Sequence, residues 1–295
     1  MVKIWLRVII MKAILVIAAI AANSILCMAQ INRQTNPVGA VFAHQGGTMS
    51  EGTFHFINGG YDVYTIASAD KDFQPASLYY GQEDADKAKV DALAPDGKVP
   101  TAMNCFVVHT PEGYVMFDTG LPSAKGGKTI ERLKSTGITP EEIKAIFVTH
   151  SHFDHIGGML DADGKAAYPS ATIYISSDEL AFMRETMNDT LDRISAAYSN
   201  KVVTFNFGEV LPYNILPISA KGHTPGHTAY QLGNLLFVGD IMHGIAIQLT
   251  DPSINARFDA APTQAVATRK SILNYAITNS LTALGAHIPV NGVLF

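Results

Sequence analysis

Cysteine is almost missing from this chain, with 2 in 295 residues. Cys27 lies in the amino-terminal segment and Cys105 in the apolar run 102–108. A folded part that keeps one thiol cannot build an intrachain disulfide. Cys105 reads instead as a small buried hydrophobe. Tryptophan is scarcer still, Trp5 being the single one, so any bulky aromatic wall must be made of Phe or Tyr. Charge is low at 16%, and 21 Lys and Arg face 26 Asp and Glu. That acidic balance argues against nucleic acid as a partner. No internal repeat and no low-complexity tract is found.

The amino terminus has the pattern of an export signal. Lys3, Arg7 and Lys12 give a positive flank, and Ala13 to Ala22 an apolar run too short for a membrane span. Cys27 and Ala29 supply small residues at −3 and −1, so cleavage is expected after Ala29, leaving a secreted or periplasmic protein with no membrane segment. Three of the Lys and Arg and none of the acids lie in residues 1–29, so cleavage deepens the net charge from −5 to −8. Residues 30–50, rich in Gln, Asn and Gly, read as a loose lead-in. Residues 51–295 suit one large domain.

Residues 150–155 read His-Ser-His-Phe-Asp-His. Four of the six are metal-ligand types, at a density that apolar packing does not ask for. The run follows Ala145-Ile146-Phe147-Val148, which reads as a buried strand, and precedes the punctuating pair Gly157-Gly158. In extended backbone, residues i and i+2 point the same way, so His150 and His152 can share one metal. Asp154 and His155 follow the turn and can reach a second. Imidazole with carboxylate suits zinc, manganese or iron.

Strand patterns are expected at 53–57, 61–67, 102–109, 114–118, 145–149, 171–175, 202–206, 215–219, 228–232, 235–239 and 281–286. Helices are expected at 126–136, 141–144, 177–187 with Ser177 as cap, and 262–278. Hairpins at both ends with helices between strands suit sheets covered by helices, not a doubly wound parallel fold.

Further ligand types end other strands. These are Asp118 in Asp118-Thr119-Gly120, His223 and His227 in Gly222-His223-Thr224-Pro225-Gly226-His227, Asp240 after Gly239, and His287 after Ala286. Alone, Asp118 or Asp240 would be read as a turn residue; the set points to one sheet rim. His223 directly follows a strand and is the better ligand. His227 follows a Pro-Gly turn and suits loop bracing. His44, His55 and His109 match no motif and are read as non-ligands. His243 is read either as lining a pocket or as lying on a strand in solvent.

In their order and spacing these motifs resemble the metallo-β-lactamase superfamily, over nearly all of 50–290. The resemblance implies an α/β fold, a four-layer αββα sandwich. It implies two divalent metal ions per chain, zinc first, with manganese or iron as alternatives. His150, His152 and His223 would hold one ion, Asp154, His155 and His287 the other, and Asp240 would bridge them. Asp118 and His227 would orient ligands from outside. A bridging hydroxide would attack the substrate, with Asp154 carrying the proton to the leaving group. The runs 239–253, 267–270 and 286–289 are similar to the exported branch that contains methyl parathion hydrolase and certain N-acyl homoserine lactonases. No Cys follows the His-rich motif, unlike in some true metallo-β-lactamases. The implied activity is hydrolysis of a small lactone or carboxylic ester. Phosphotriester hydrolysis ranks second because the folded part has no Trp, although Phe182 is a candidate for the aromatic wall. β-Lactam hydrolysis ranks third, and a catalytically silent metal binder of the same fold is the non-enzyme alternative. A homodimer is left open.

Overall fold

Period-two alternation of apolar residues builds the core of this protein. The computed structural model describes residues 47–80, 84–199, 201–289 and 291–294, and the chain from Thr48 onward is one compact unit. The expected signal, 1–29, and residues 30–46 of the lead-in lie outside the described residues.

The first sheet begins with β1 (Thr48–Ser50), β2 (Thr53–Asn58) and β3 (Tyr61–Ala67). A small separate sheet, β4 (Phe73–Pro75) with β5 (Lys98–Pro100), flanks helix α1 (Asp84–Leu93) in sequence. The chain returns as β6 (Asn104–Thr110) and β7 (Gly113–Phe117). After helix α2 (Thr129–Ser135) come β8 (Ile143–Phe147), the short helix α3 (Phe153–Ile156) and β9 (Thr172–Ser176). Helices α4 (Ser177–Thr186) and α5 (Asn188–Tyr198) lead to β10 (Val202–Phe205). The sheet order is β1-β2-β3-β6-β7-β8-β9-β10, antiparallel as far as β7 and parallel beyond it.

The second large sheet is β11 (Leu216–Ser219), β12 (Thr228–Leu232), β13 (Leu235–Phe237) and β14 (Thr282–Leu284). Helices α6 (Ile245–Gln248) and α7 (Pro262–Thr278) lie between its last two strands in sequence.

Alternation along β6 shows how the layers are stacked. Cys105 and Val107 join Met116, Ile146 and Ile173 in a core shared with Leu133 of α2, Met183 of α4 and Leu191 and Ile194 of α5. Phe106, between them in sequence, points the other way and meets Phe237 of β13 at 5.5 Å between ring centroids. Phe117 stacks on Phe237 at 3.7 Å, and Phe147 meets Tyr230 of β12 at 5.5 Å. These aromatic pairs join the two sheets, each adding about 0.5–1.5 kcal/mol beyond area burial. The far face of the second sheet, with Ala229, Leu236 and Ala283, packs on Ile272, Leu273 and Ala276 of α7. Helix, sheet, sheet and helix thus form the expected αββα sandwich.

Several sequence expectations need correction. Residues 141–144 are not a helix: Pro140–Glu142 is one 3₁₀ turn, closed by a Thr139–Glu142 capping box, and β8 begins at Ile143. The cap of α4 is Ser176, whose hydroxyl accepts from the Glu179 N–H at 3.2 Å, one residue earlier than expected. Strands at 114–118, 145–149 and 235–239 stop at Phe117, Phe147 and Phe237, because the chain turns away to present polar side chains. Helices α1, α3, α5 and α6 and the β4–β5 pair have no counterpart among the expected elements, and β1 stands at 48–50, where the loose lead-in was expected. Asn188-Asp189-Thr190 resembles a loop in composition, yet tertiary burial of Leu191, Ile194 and Tyr198 makes it the first turn of α5.

Candidate metal centre

β7 and β8 run side by side and end at the same rim. Asp118 follows β7 with φ 58°, a left-handed conformation that costs a non-glycine residue energy. This turn aims its buried carboxylate across to the end of β8. The carboxylate accepts from the Thr149 N–H at 2.8 Å and the Thr149 hydroxyl at 2.7 Å. It also accepts from His155 Nδ1 at 2.8 Å. With its proton committed to Asp118, the Thr149 hydroxyl can only accept from His150 Nδ1, 3.0 Å away. In its neutral form each imidazole then has its lone pair on Nε2.

His150 Nε2 lies 3.1 Å from His152 Nδ1 and 3.2 Å from His223 Nε2. His223 Nε2 and His152 Nδ1 are 2.9 Å apart. The other nitrogen of His223, Nδ1, faces Asp259 Oδ1 at 3.0 Å. Burial first, then neighbouring imidazoles, push His150 and His223 well below the usual imidazole range, which favours their neutral forms. Two lone pairs that face each other at 3.2 Å, on His150 Nε2 and His223 Nε2, repel unless a cation sits between them.

A second set adjoins the first. His155 Nε2 is 3.2 Å from Asp240 Oδ1 and 3.9 Å from Asp154 Oδ1. His287 donates Nδ1–H to the Ala102 carbonyl at 2.7 Å, so its Nε2 faces Asp240 Oδ2 at 3.0 Å and Asp154 Oδ2 at 3.5 Å. Burial opposes charge on His155 and His287, but Asp240 and the other carboxylates around them outweigh it and raise both. Burial likewise works against ionised Asp240, yet His155 and His287 keep its carboxyl far below the usual range. Asp154, also lifted by burial, is held lower by the same two imidazoles. Positive charge is therefore favoured at this point.

Asp240 lies between the two sets, with Oδ2 3.7 Å from His150 Nε2 and 3.4 Å from His223 Nε2. Groups of three able to hold an ion include His150, His152 and His223; His150, His155 and Asp240; and Asp154, His155 and His287. His155 Nε2 and Asp240 Oδ1 are buried without a hydrogen-bond partner. Such orphaned atoms are costly unless a further ligand satisfies them, so the residues present fit a bound metal.

His227 behaves differently from His223. Its Nδ1 donates to the Ala220 carbonyl at 2.9 Å, and its Nε2 accepts the Asp240 N–H at 3.1 Å. Both nitrogens are occupied, and the ring braces the Asp240 turn. Gly239, at φ 52°, permits this approach, since a Cβ there would collide with the His227 ring.

His243 is neither on a strand nor in solvent. It lies in the loop before α6, is 2% exposed, and sets Nε2 3.1 Å from Asp240 Oδ2. It could also hold an ion with Asp240 and His287. The aromatic ring set against it is Phe258, 42% exposed, with a centroid 5.3 Å away. His55 instead pairs with Asp62 at 2.8 Å and His109 packs on Tyr114, both away from the centre. His44 lies outside the described residues.

Sequence reasoning missed Glu179 and Asp259. Ser176-x-x-Glu179 spells a helix capping box. In the fold the fully buried Glu179 carboxylate instead accepts from Ser151 N–H and hydroxyl, both at 2.7 Å, from Thr224 at 2.6 Å and from Gly226 N–H at 3.0 Å. It ties the two histidine loops together. No local pattern marks Asp259, whose partner is 36 residues away.

Against this geometry stand the comparisons. The family described as the metallo-beta-lactamase superfamily matches residues 100–285. The chain belongs to the metallo-beta-lactamase superfamily. A probable metallo-hydrolase, YqgX of Bacillus subtilis, is 24% identical over 163 residues, covering 52% of this chain and 72% of that protein. An N-acyl homoserine lactonase from a Bacillus species is 24% identical over 157 residues, covering 46% of this chain and 60% of its own length. Among solved structures, hydrolase AbOPH of the beta lactamase superfamily is 27% identical with a TM-score of 0.72, over 83% of this chain and 93% of that one. AidC, a dizinc quorum-quenching lactonase, shares the fold at a TM-score of 0.70 and 23% identity, over 82% and 92%. These superfamily matches support hydrolase activity in the chain.

Proposed function

We propose that the chain is a metal-dependent hydrolase of lactones or carboxylic esters, acting on a small molecule such as an N-acyl homoserine lactone. The observation that carries this reading is the sharing of Asp240 by two converging donor sets. His150, His152 and His223 would hold one divalent ion, and Asp154, His155 and His287 the other. Asp240 has one oxygen toward His155 and the other toward His150, His223 and His287. Zinc suits this nitrogen-rich set best.

Two such ions supply water activation and polarise the oxygen that gains charge. The protein's part is positioning. Asp118, Thr149 and Ala102 fix imidazole tautomers, and His227 holds the Asp240 turn. The Asp154 side chain, 24% exposed, is the least covered acid of the centre and suits proton delivery to a leaving alkoxide. Phe258 offers an apolar surface beside His243 for the substrate's acyl portion. The lactone preference rests on the named lactonase relatives and on the absence of Trp from the described residues.

The test is metal content together with kcat/KM on an acyl homoserine lactone, an aryl ester and an aryl phosphotriester. Two equivalents of metal and highest turnover on the lactone are expected; a metal-loaded, folded protein inert on all three would overturn the reading. Export with cleavage after Ala29 belongs to the same proposal, supported by the basic flank and short apolar run. Among the described residues no helix is long and apolar enough to cross a membrane. Mass spectrometry of the protein from its host is expected to find Gln30 first; an intact Met1 or Met11 would refute cleavage.

A further inference from the structure

The geometry points to Asp259, held by Arg269, as a positioning residue that fixes the orientation and tautomer of His223. This inference rests on the metal-hydrolase reading above. His223 sits on an irregular loop, directly after Gly222 at φ 133°, where no strand or helix constrains its ring. Three other imidazoles of the centre have a fixed outer partner: Thr149 for His150, Asp118 for His155 and the Ala102 carbonyl for His287. For His223 that place is taken by Asp259 Oδ1, 3.0 Å from Nδ1. An ionised carboxylate can only accept, so it commits the proton to Nδ1 and turns the Nε2 lone pair to His150 and His152.

Asp259 is itself anchored. Its Oδ2 accepts the Ala256 N–H at 3.3 Å and lies 3.6 Å from Arg269 Nη2. Both side chains are fully covered. Arg269, on α7, donates Nε–H to the Ile241 carbonyl at 2.6 Å, and Nη1–H to the carbonyls of Pro252 and Ile254 at 2.8 and 3.0 Å. Ile241 directly follows Asp240 in the chain. One guanidinium thus spans the Asp240 turn and the loop carrying Asp259, as its planar fork of donors allows. The backbone continues the link, with Ala260 N–H on the His223 carbonyl at 3.0 Å and Ala261 N–H on the Gly222 carbonyl at 2.8 Å. Asp259 therefore serves His223 as Asp118 serves His155.

The test uses the full-length protein loaded with zinc or cobalt ions alone. Competition with a chromogenic chelator resolves the affinities of the two ions, and the cobalt absorption spectrum reports ligand geometry. Asp259→Asn keeps the side-chain volume and is expected to weaken one ion by about 10–100-fold. The other ion keeps its affinity, and the cobalt spectrum of the weakened site changes. Arg269→Lys, which keeps the charge but loses the fork, is expected to weaken the same ion to a smaller degree. If both ions bind Asp259→Asn and Asp259→Ala as tightly as the parent, the inference is overturned. Equal weakening of both ions with a fall in Tm would also overturn it, since that marks general loss of structure. A parent protein that binds no metal would refute the hydrolase reading itself, whereas two ions bound as tightly by Asp259→Asn and Asp259→Ala as by the parent would refute this inference alone.

Discussion

Tyr230 donates its phenolic proton to the Val148 carbonyl at 2.7 Å, from the second sheet to the end of β8. Val148 is two residues before His150, and the Thr228 N–H reaches the Thr149 carbonyl at 2.8 Å beside it. The rim that carries the first histidines is thus tied to the strand that follows the His223 loop. Tyr230→Phe keeps the ring packing and removes this bond. Leaving a buried carbonyl unpaired is expected to cost about 1–3 kcal/mol. Tm should then fall by roughly 2–4 °C per kcal/mol. Calorimetry of the metal-loaded variant checks this; an unchanged Tm would mean that the bond contributes nothing to holding the sheets.

His223→Ala and His227→Ala should separate cleanly. His223 aims Nε2 at His150 and His152, whereas His227 spends both nitrogens on Ala220 and Asp240 backbone. The first substitution is expected to drop metal content by about one equivalent and to remove most turnover. The second is expected to keep near-normal stoichiometry with a smaller rate loss, on the order of 10–100-fold. Elemental analysis and steady-state kinetics decide it, and the reverse pattern would show that the roles are exchanged.

Asp118→Ala should act on His155. Without the carboxylate at 2.8 Å, the His155 ring loses the acceptor that sets its tautomer, and Thr149 loses the partner that sets His150. Metal affinity and kcat are expected to fall together, each by about 10–100-fold, with KM changing less. A variant with normal kcat and normal metal affinity would show that Asp118 is only a turn residue.

Removing metal with a chelator should destabilise the fold as well as abolish turnover. Buried lone pairs and carboxylates then face one another without a cation. Free ligand at about 100 times its Kd adds roughly 2.7 kcal/mol of stability. The metal-free protein should therefore melt several degrees lower, and adding zinc should restore both Tm and activity. Equal melting temperatures with and without chelator would argue that the centre is not filled in the purified protein.

The chain's local patterns determined a good deal by themselves. Period-two runs such as Tyr61–Ala67 and Thr228–Leu232 were legible as strands at their observed bounds, and so was α7, opened by Pro262. The clustering of His150, His152, Asp154 and His155 was legible because four ligand types in six residues are not explained by packing. The superfamily followed from these residues together with Asp118, His223, Asp240 and His287 at the ends of other strands. What tertiary structure alone decided is which side chain answers which. Glu179 reads as a helix cap and Asp259 as a loop residue, because the groups at the centre that they hold, Ser151, Gly226 and His223, are 28 to 47 residues away. His243 was ambiguous for a different reason: Asp240 is only three residues away, and it is the course of the loop before α6 that turns the ring inward onto it. Local sequence encodes dihedral preference and the alternation of faces, which are short-range. The pairing of a buried charge with its distant partner depends on how two sheets and the loops between them stack, and only the assembled fold brings those groups within hydrogen-bond reach.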